Sequence, residues 1–160
     1  MPTPTYTPLA NITLGSSAAT VTFSSISQIY KDLVLIINAK NTTGTTGLRA
    51  RFNSDSGANY SFVLMDGDGS TAASAAATGQ TLLSIGSNAT SDTVNILNIM
   101  DYSATDKHKT VLVRANGASL STSAFADRWA STSAISTIVV FPAANSFASG
   151  SSFALYGINA

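Results

Sequence analysis

One histidine, His108, stands in Asp106-Lys-His-Lys109, and it is the only imidazole in 160 residues that could serve a serine nucleophile as its base. Serine is so abundant that its nearness to any aspartate carries no information, and no Gly-x-Ser-x-Gly elbow occurs. His108 is therefore expected to be a solvated residue at a strand entrance. Glycoside hydrolysis needs two carboxyl groups in unlike environments, for which Asp55, Asp66, Asp68, Asp101 and Asp127 are available. Each is expected in or beside a turn, where aspartate caps its own backbone. Asn53-Ser-Asp-Ser-Gly57 and Asp66-Gly-Asp-Gly69 set oxygen side chains at alternate positions as calcium loops do, but the chain has no glutamate to close such a loop. Glycine-rich phosphate cradles are missing too. These residues predict turn chemistry, with no catalytic constellation, no metal site and no cofactor. Trp129, in Ala126-Asp-Arg-Trp-Ala130, is expected to be buried in a core or stacked beneath Arg128, the alternative being contact with a carbohydrate or a partner.

The elements that would carry these residues are strands. Short segments of period-two apolar spacing recur between Gly, Ser, Asn and Asp clusters. Leu48-Arg-Ala-Arg-Phe52 is the plainest, with Arg49 and Arg51 on one face and Leu48, Ala50 and Phe52 on the other. Leu9 to Leu14, Ala19 to Phe23, Tyr60 to Met65, Val94 to Met100, Lys109 to Arg114, Phe125 to Ser131, Ile135 to Phe141 and Phe153 to Ile158 read likewise. The continuous run in Asp32-Leu-Val-Leu-Ile-Ile-Asn38 predicts a central strand covered on both faces. Ser70 to Thr81 reads as a long loop, with Ala72 to Ala77 the one place for a short helix. About nine or ten strands predict an all-β, antiparallel two-sheet β-sandwich.

Composition narrows the function classes. Charged residues make up 10% of the chain, eight basic against eight acidic, so no net field draws in nucleic acid or anionic lipid. The apolar run Leu33 to Ile37 is far shorter than the roughly 20 residues of a membrane span. Without cysteine there are no disulfides, and stability must come from packing, hydrogen bonds and association. The start, Met1-Pro-Thr-Pro-Thr-Tyr-Thr-Pro8, has neither a basic nor an apolar signal region, so synthesis in a cytoplasm is expected. Its prolines predict an extended arm over 1–8, ahead of a single sandwich domain over 9–160.

Three stretches carry a resemblance. Val21-Thr-Phe-Ser-Ser-Ile26 followed by Tyr30-Lys-Asp-Leu-Val-Leu35, then Arg51-Phe-Asn-Ser-Asp-Ser-Gly-Ala-Asn-Tyr60, and finally Phe147-Ala-Ser-Gly-Ser-Ser-Phe-Ala-Leu-Tyr-Gly-Ile158 are similar to small virion modules of tailed bacteriophages, especially phages of cyanobacteria and other aquatic bacteria. The resemblance implies a β-sandwich structural protein of the virion, made in the host cytoplasm, and it brings no catalytic residues. Size and the absence of heptads or repeats favour a capsid decoration or cement protein on the outer shell, bound to the major capsid protein as a homotrimer. The alternative is a tail-fibre or receptor-binding adaptor module, which predicts exposed aromatics such as Tyr60, Tyr102 or Trp129 at one end.

Two terminal segments are the expected contact residues. Pro2, Pro4, Tyr6 and Pro8 would form a strap across neighbouring subunits, whose removal should leave the fold intact. In the last segment Phe153, Leu155 and Gly157 alternate with Ala154, Tyr156 and Ile158, so large residues fall on both faces. In a jelly-roll-like sandwich the terminal strands lie near each other, which sets this segment beside Leu9 to Leu14. Tyr156 and Ile158 then face another subunit or the arm.

Overall fold

Alternation of side chains becomes alternation of burial. In β9 (Lys109–Asn116) every odd-numbered residue is buried and every even-numbered one exposed. β4 (Thr46–Phe52) buries Leu48, Ala50 and Phe52 completely and turns both arginines outward, as its sequence predicts. A computed structural model describes residues 4–116 and 121–159, and among them there are twelve strands and no helix.

The remaining strands are β1 (Tyr6–Thr13), β2 (Val21–Phe23), β3 (Asp32–Ala39), β5 (Tyr60–Gly67), β6 (Ala72–Gln80), β7 (Leu83–Asn88), β8 (Thr93–Met100), β10 (Thr122–Trp129), β11 (Ile138–Pro142) and β12 (Ser152–Ile158). They form two antiparallel sheets, one of eight strands in the order β1-β12-β3-β8-β9-β10-β5-β6 and one of four in the order β2-β11-β4-β7. Five pairings are nested along the chain: β1 with β12, β2 with β11, β3 with β8, β4 with β7, and β5 with β6. The chain is thus one long two-stranded ribbon, and rolling it brings β12 beside β3, β11 beside β4 and β10 beside β5. That is jelly-roll topology, with the meander β8-β9-β10 in place of a single strand. The core between the sheets includes Leu33, Leu35, Ile37, Phe52, Leu97, Ile99, Trp129 and Phe153.

Several expectations change. The first strand starts at Tyr6, so Tyr6, Thr7 and Pro8 belong to the ladder and only Pro4 and Thr5 of the described arm precede it. An edge strand tolerates Pro8, because its missing N–H removes no ladder bond on the open side. Ala72 to Ala77 is strand, since pairing with β5 overrides the helix propensity of alanine. β7 was not expected at all. The terminal strands do meet, with Ile12 opposite Phe153 and Tyr6 opposite Ile158.

The motifs behind the resemblance sit at junctions. Tyr30 lies flat over Gly157, where a Cβ would come within 2.4 Å of its ring, so only glycine fits. Asn53, at φ 50°, accepts from the Ser136 and Thr137 amides at 2.9 and 3.1 Å and donates to Ala134 O at 2.8 Å, latching the turn after β4 onto the segment before β11. Phe147 packs edge-on to Phe153 at 4.9 Å, and Gly150, at φ 86°, turns the chain into β12.

Candidate functional site

The residues able to do chemistry are dispersed. His108 is exposed in the corner between β8 and β9. Asp55 accepts from Gly57 N at 2.8 Å, Asn59 Nδ2 at 2.9 Å and the Trp129 indole N–H at 2.7 Å. The indole bond, and then that of Asn59, hold the Asp55 carboxyl below its usual range. Asp68 caps the β5–β6 turn through Ser70 and Thr71. Its bonds to the backbone amides of Thr71 and Ser70 lower its pKa too. Both stretches with alternate oxygen side chains spend those oxygens on the chain itself, and among the described residues no three His or Asp side chains gather to hold a metal.

Of the five candidate aspartates, two lie in strands, Asp66 beside the β5–β6 turn and Asp127 away from any turn. Asp66 lies in β5 and accepts from the Ser123 hydroxyl. Asp127 lies in β10, 2% exposed, and neither oxygen has a hydrogen-bond partner among the described residues. Burial pushes its carboxyl up to about 8, opposed by the charge of Arg49. Period two announces this placement, because Phe125 and Trp129 point inward and Asp127 shares their parity. Trp129, Tyr60 and Tyr102 are all buried, the indole stacked on Tyr60 at 6.4 Å and edge-on to Phe52 at 5.7 Å. None of these three aromatics forms an exposed platform.

What the fold does assemble is a face. The pairing registers set Pro8, Tyr156, Val34, Asn98, Leu112, Ala126, Val63 and Ala76 side by side on the outer surface of the eight-stranded sheet. This row crosses every strand and contains one polar residue. Beside it runs a second row that includes Ile36, Ile96, Ala124 and Met65. Leu112 is 44% exposed, Val63 54% and Met65 64%. Among the described residues, the charged residue types on the face are Asp32, Arg114 and Arg128. A shallow cleft of about 300 Å³ opens among Tyr6, Val34, Asn98, Leu112 and Ile158, and another of about 280 Å³ among Val63, Met65, Leu112, Arg114 and Ala126. An outward sheet face meeting only water is normally polar.

Four expected contact residues meet at one end of this belt. Tyr6 is opposite Ile158 and Pro8 opposite Tyr156, and the rings of Tyr6 and Tyr156 pack edge to face at 6.5 Å. Pro4 is exposed just before β1, and its carbonyl accepts from Asn159 Nδ2 at 2.5 Å. Pro2 lies outside the described residues. The rest of the belt was not anticipated, although Phe62-Val-Leu-Met65 carries the same two-faced apolar signal as β3. The outer cover expected over β3 is supplied only in part by the described residues: Val34 is buried by its neighbours, but Ile36 remains partly exposed.

No protein-family model matches the chain, and no curated protein shows significant similarity to it.

Proposed function

We propose that this chain is a non-enzymatic structural protein of a phage particle, a capsid decoration or cement protein that seats the outer face of its eight-stranded sheet on the major capsid protein. The observation that carries this reading is the apolar belt from Pro8 to Ala76, wide and nearly uncharged, on a fold whose candidate catalytic groups are scattered or spent on turns. Contiguous apolar surface of this kind marks a protein contact. Fully burying a Val, Leu or Met side chain contributes about 1.5–3 kcal/mol, so covering Val63, Met65 and Leu112 would hold the protein on a shell without any ion pair. Spread over a junction between subunits, such contacts raise the cost of separating them.

The test uses particles of the parent phage. A stained gel of purified virions should show hundreds of copies per particle, whereas a few tens would overturn the decoration role in favour of a tail component. Leu112→Glu and Val63→Glu proteins, added to particles lacking the native one, should fail to attach while melting within a few degrees of the unmodified chain. Attachment equal to wild type would remove the belt from the contact.

A further inference from the structure

The outermost strands of the two sheets are not alike. β1 carries Pro8, and its register with β12 slips between Pro8 and Ala10. β2 is three residues long. β7 slips against β4 between Gly47 and Arg49 and contains Gly86 at φ 114°. Each of these features keeps a foreign strand from extending the ladder. β6 has none of them over most of its length. Its nine residues include no proline and no charge, and Ala72 to Ala77 pair with β5 without interruption. The one register slip lies beyond Ala77, near Gly79 at φ 64°.

The open hydrogen bonds of this edge can be assigned. At the hairpin end Asp68 N donates to Thr71 O at 3.2 Å. Counting from that bonded pair, antiparallel alternation turns Ala73, Ala75 and Ala77 toward β5 and points the N–H and C=O groups of Ala72, Ser74 and Ala76 away from it. Both faces of the strand are exposed from Ala72 to Ala76, because the sheet overhangs its smaller partner here.

We propose that β6 pairs with β6 of a second copy of this chain, antiparallel across a two-fold axis, joining two eight-stranded sheets edge to edge. The occupant follows from the pattern of open groups. Positions 72, 74 and 76 are their own antiparallel complement, with Ser74 opposite the partner's Ser74 and Ala72 opposite the partner's Ala76, so three residues from each copy close six backbone bonds. Symmetry sets each strand against its own charge, a juxtaposition that excludes most edge strands and costs nothing in an uncharged one. Pairing uses up both edges and stops at two copies. The seam is smaller than a standard interface of about 1,600 Å², which makes the dimer reversible and dependent on concentration. This pairing is a property of the isolated chain and does not rest on what the outer face docks against.

The chain has no cysteine, so a single Ser74→Cys substitution reports on the axis. Facing Cα atoms in a bonded antiparallel pair are about 5.5 Å apart, within the range of about 4.4–6.8 Å that a disulfide spans. Under mild oxidation S74C should form a covalent dimer at least about tenfold faster than A126C, which is exposed on the same face but away from the edge. A72C mixed with A76C should cross-link, and A72C alone should do so much more slowly. Sedimentation of the unmodified chain from about 1 to about 100 µM should pass from monomer to dimer. Ala76→Pro, at a position that donates nothing to β5, should hold it monomeric with little change in Tm. Cross-linking of S74C no faster than A126C, a monomer at every concentration, or a trimer would each overturn the proposal.

Discussion

Asp55 and Asp127 are both tied to Trp129, Asp55 by accepting the indole N–H and Asp127 by lying two residues before it on the same inward face. They respond to pH in opposite senses. The Asp55 carboxyl is held below its ordinary value, so the stability it contributes is present above that value and is lost as pH falls through the lower folded one. Asp127 is pushed up to about 8, so its protonated form belongs to the fold. Its contribution is complete below its ordinary value near 3.8 and is lost as pH rises toward about 8. Denaturant unfolding should therefore show the protein less stable at about pH 9 than at about pH 5. Asp127→Asn, which keeps the shape without the charge, should flatten that difference and be more stable than the parent at the alkaline end by roughly 2–4 kcal/mol. Equal pH dependence in parent and variant would mean that water or Arg49 compensates the carboxylate.

Among elements, β1 departs furthest from what its sequence suggests. The alternation of proline with Thr and Tyr reads as an arm because nothing local reports a ladder partner 150 residues away. Yet Tyr6, Thr7 and Pro8 pair with Ile158, Gly157 and Tyr156, while Thr5 O accepts from Asn159 N at 3.1 Å. Deleting Met1–Pro8 should then cost about 1–3 kcal/mol in thermal unfolding, through lost ladder bonds and the Tyr6–Tyr156 contact, whereas deleting Met1–Pro4 should cost well under half of that. The same limit explains the other misreadings. β4 is legible because apolar and charged residues alternate in it, and β9 and β12 because Val, Leu, Phe and Tyr cluster in them just after polar turn residues. β6 is Ala, Ser, Thr and Gly as far as Gln80, and side chains of nearly one size leave no period to see. In β7 the alternation of Leu83 with Ile85 stops at Gly86 after three positions.

At the scale of the molecule, eight strands face four, and the mismatch decides what is left uncovered. The continuous apolar run of β3 predicts that something covers each side, but a sequence does not distinguish cover by its own second sheet from cover by another protein. Inward, the small sheet buries Leu33, Leu35 and Ile37 completely. Outward, the belt across Tyr156, Leu112 and Val63 carries few charges, and this fixes how attachment should depend on solution conditions. A contact made by apolar burial is nearly indifferent to screening, while one steered by ion pairs weakens as the Debye length falls from about 10 Å toward 3 Å. If the belt docks on a capsid as proposed, binding to particles lacking the protein should change by less than about threefold between about 0.05 and 0.5 M salt. It should weaken on cooling, with a negative heat-capacity change by calorimetry. Arg114 and Arg128 supply the control: Arg114→Ala with Arg128→Ala should leave affinity almost unchanged if the belt is the contact, and a steep loss on adding salt would instead place the binding on these charges.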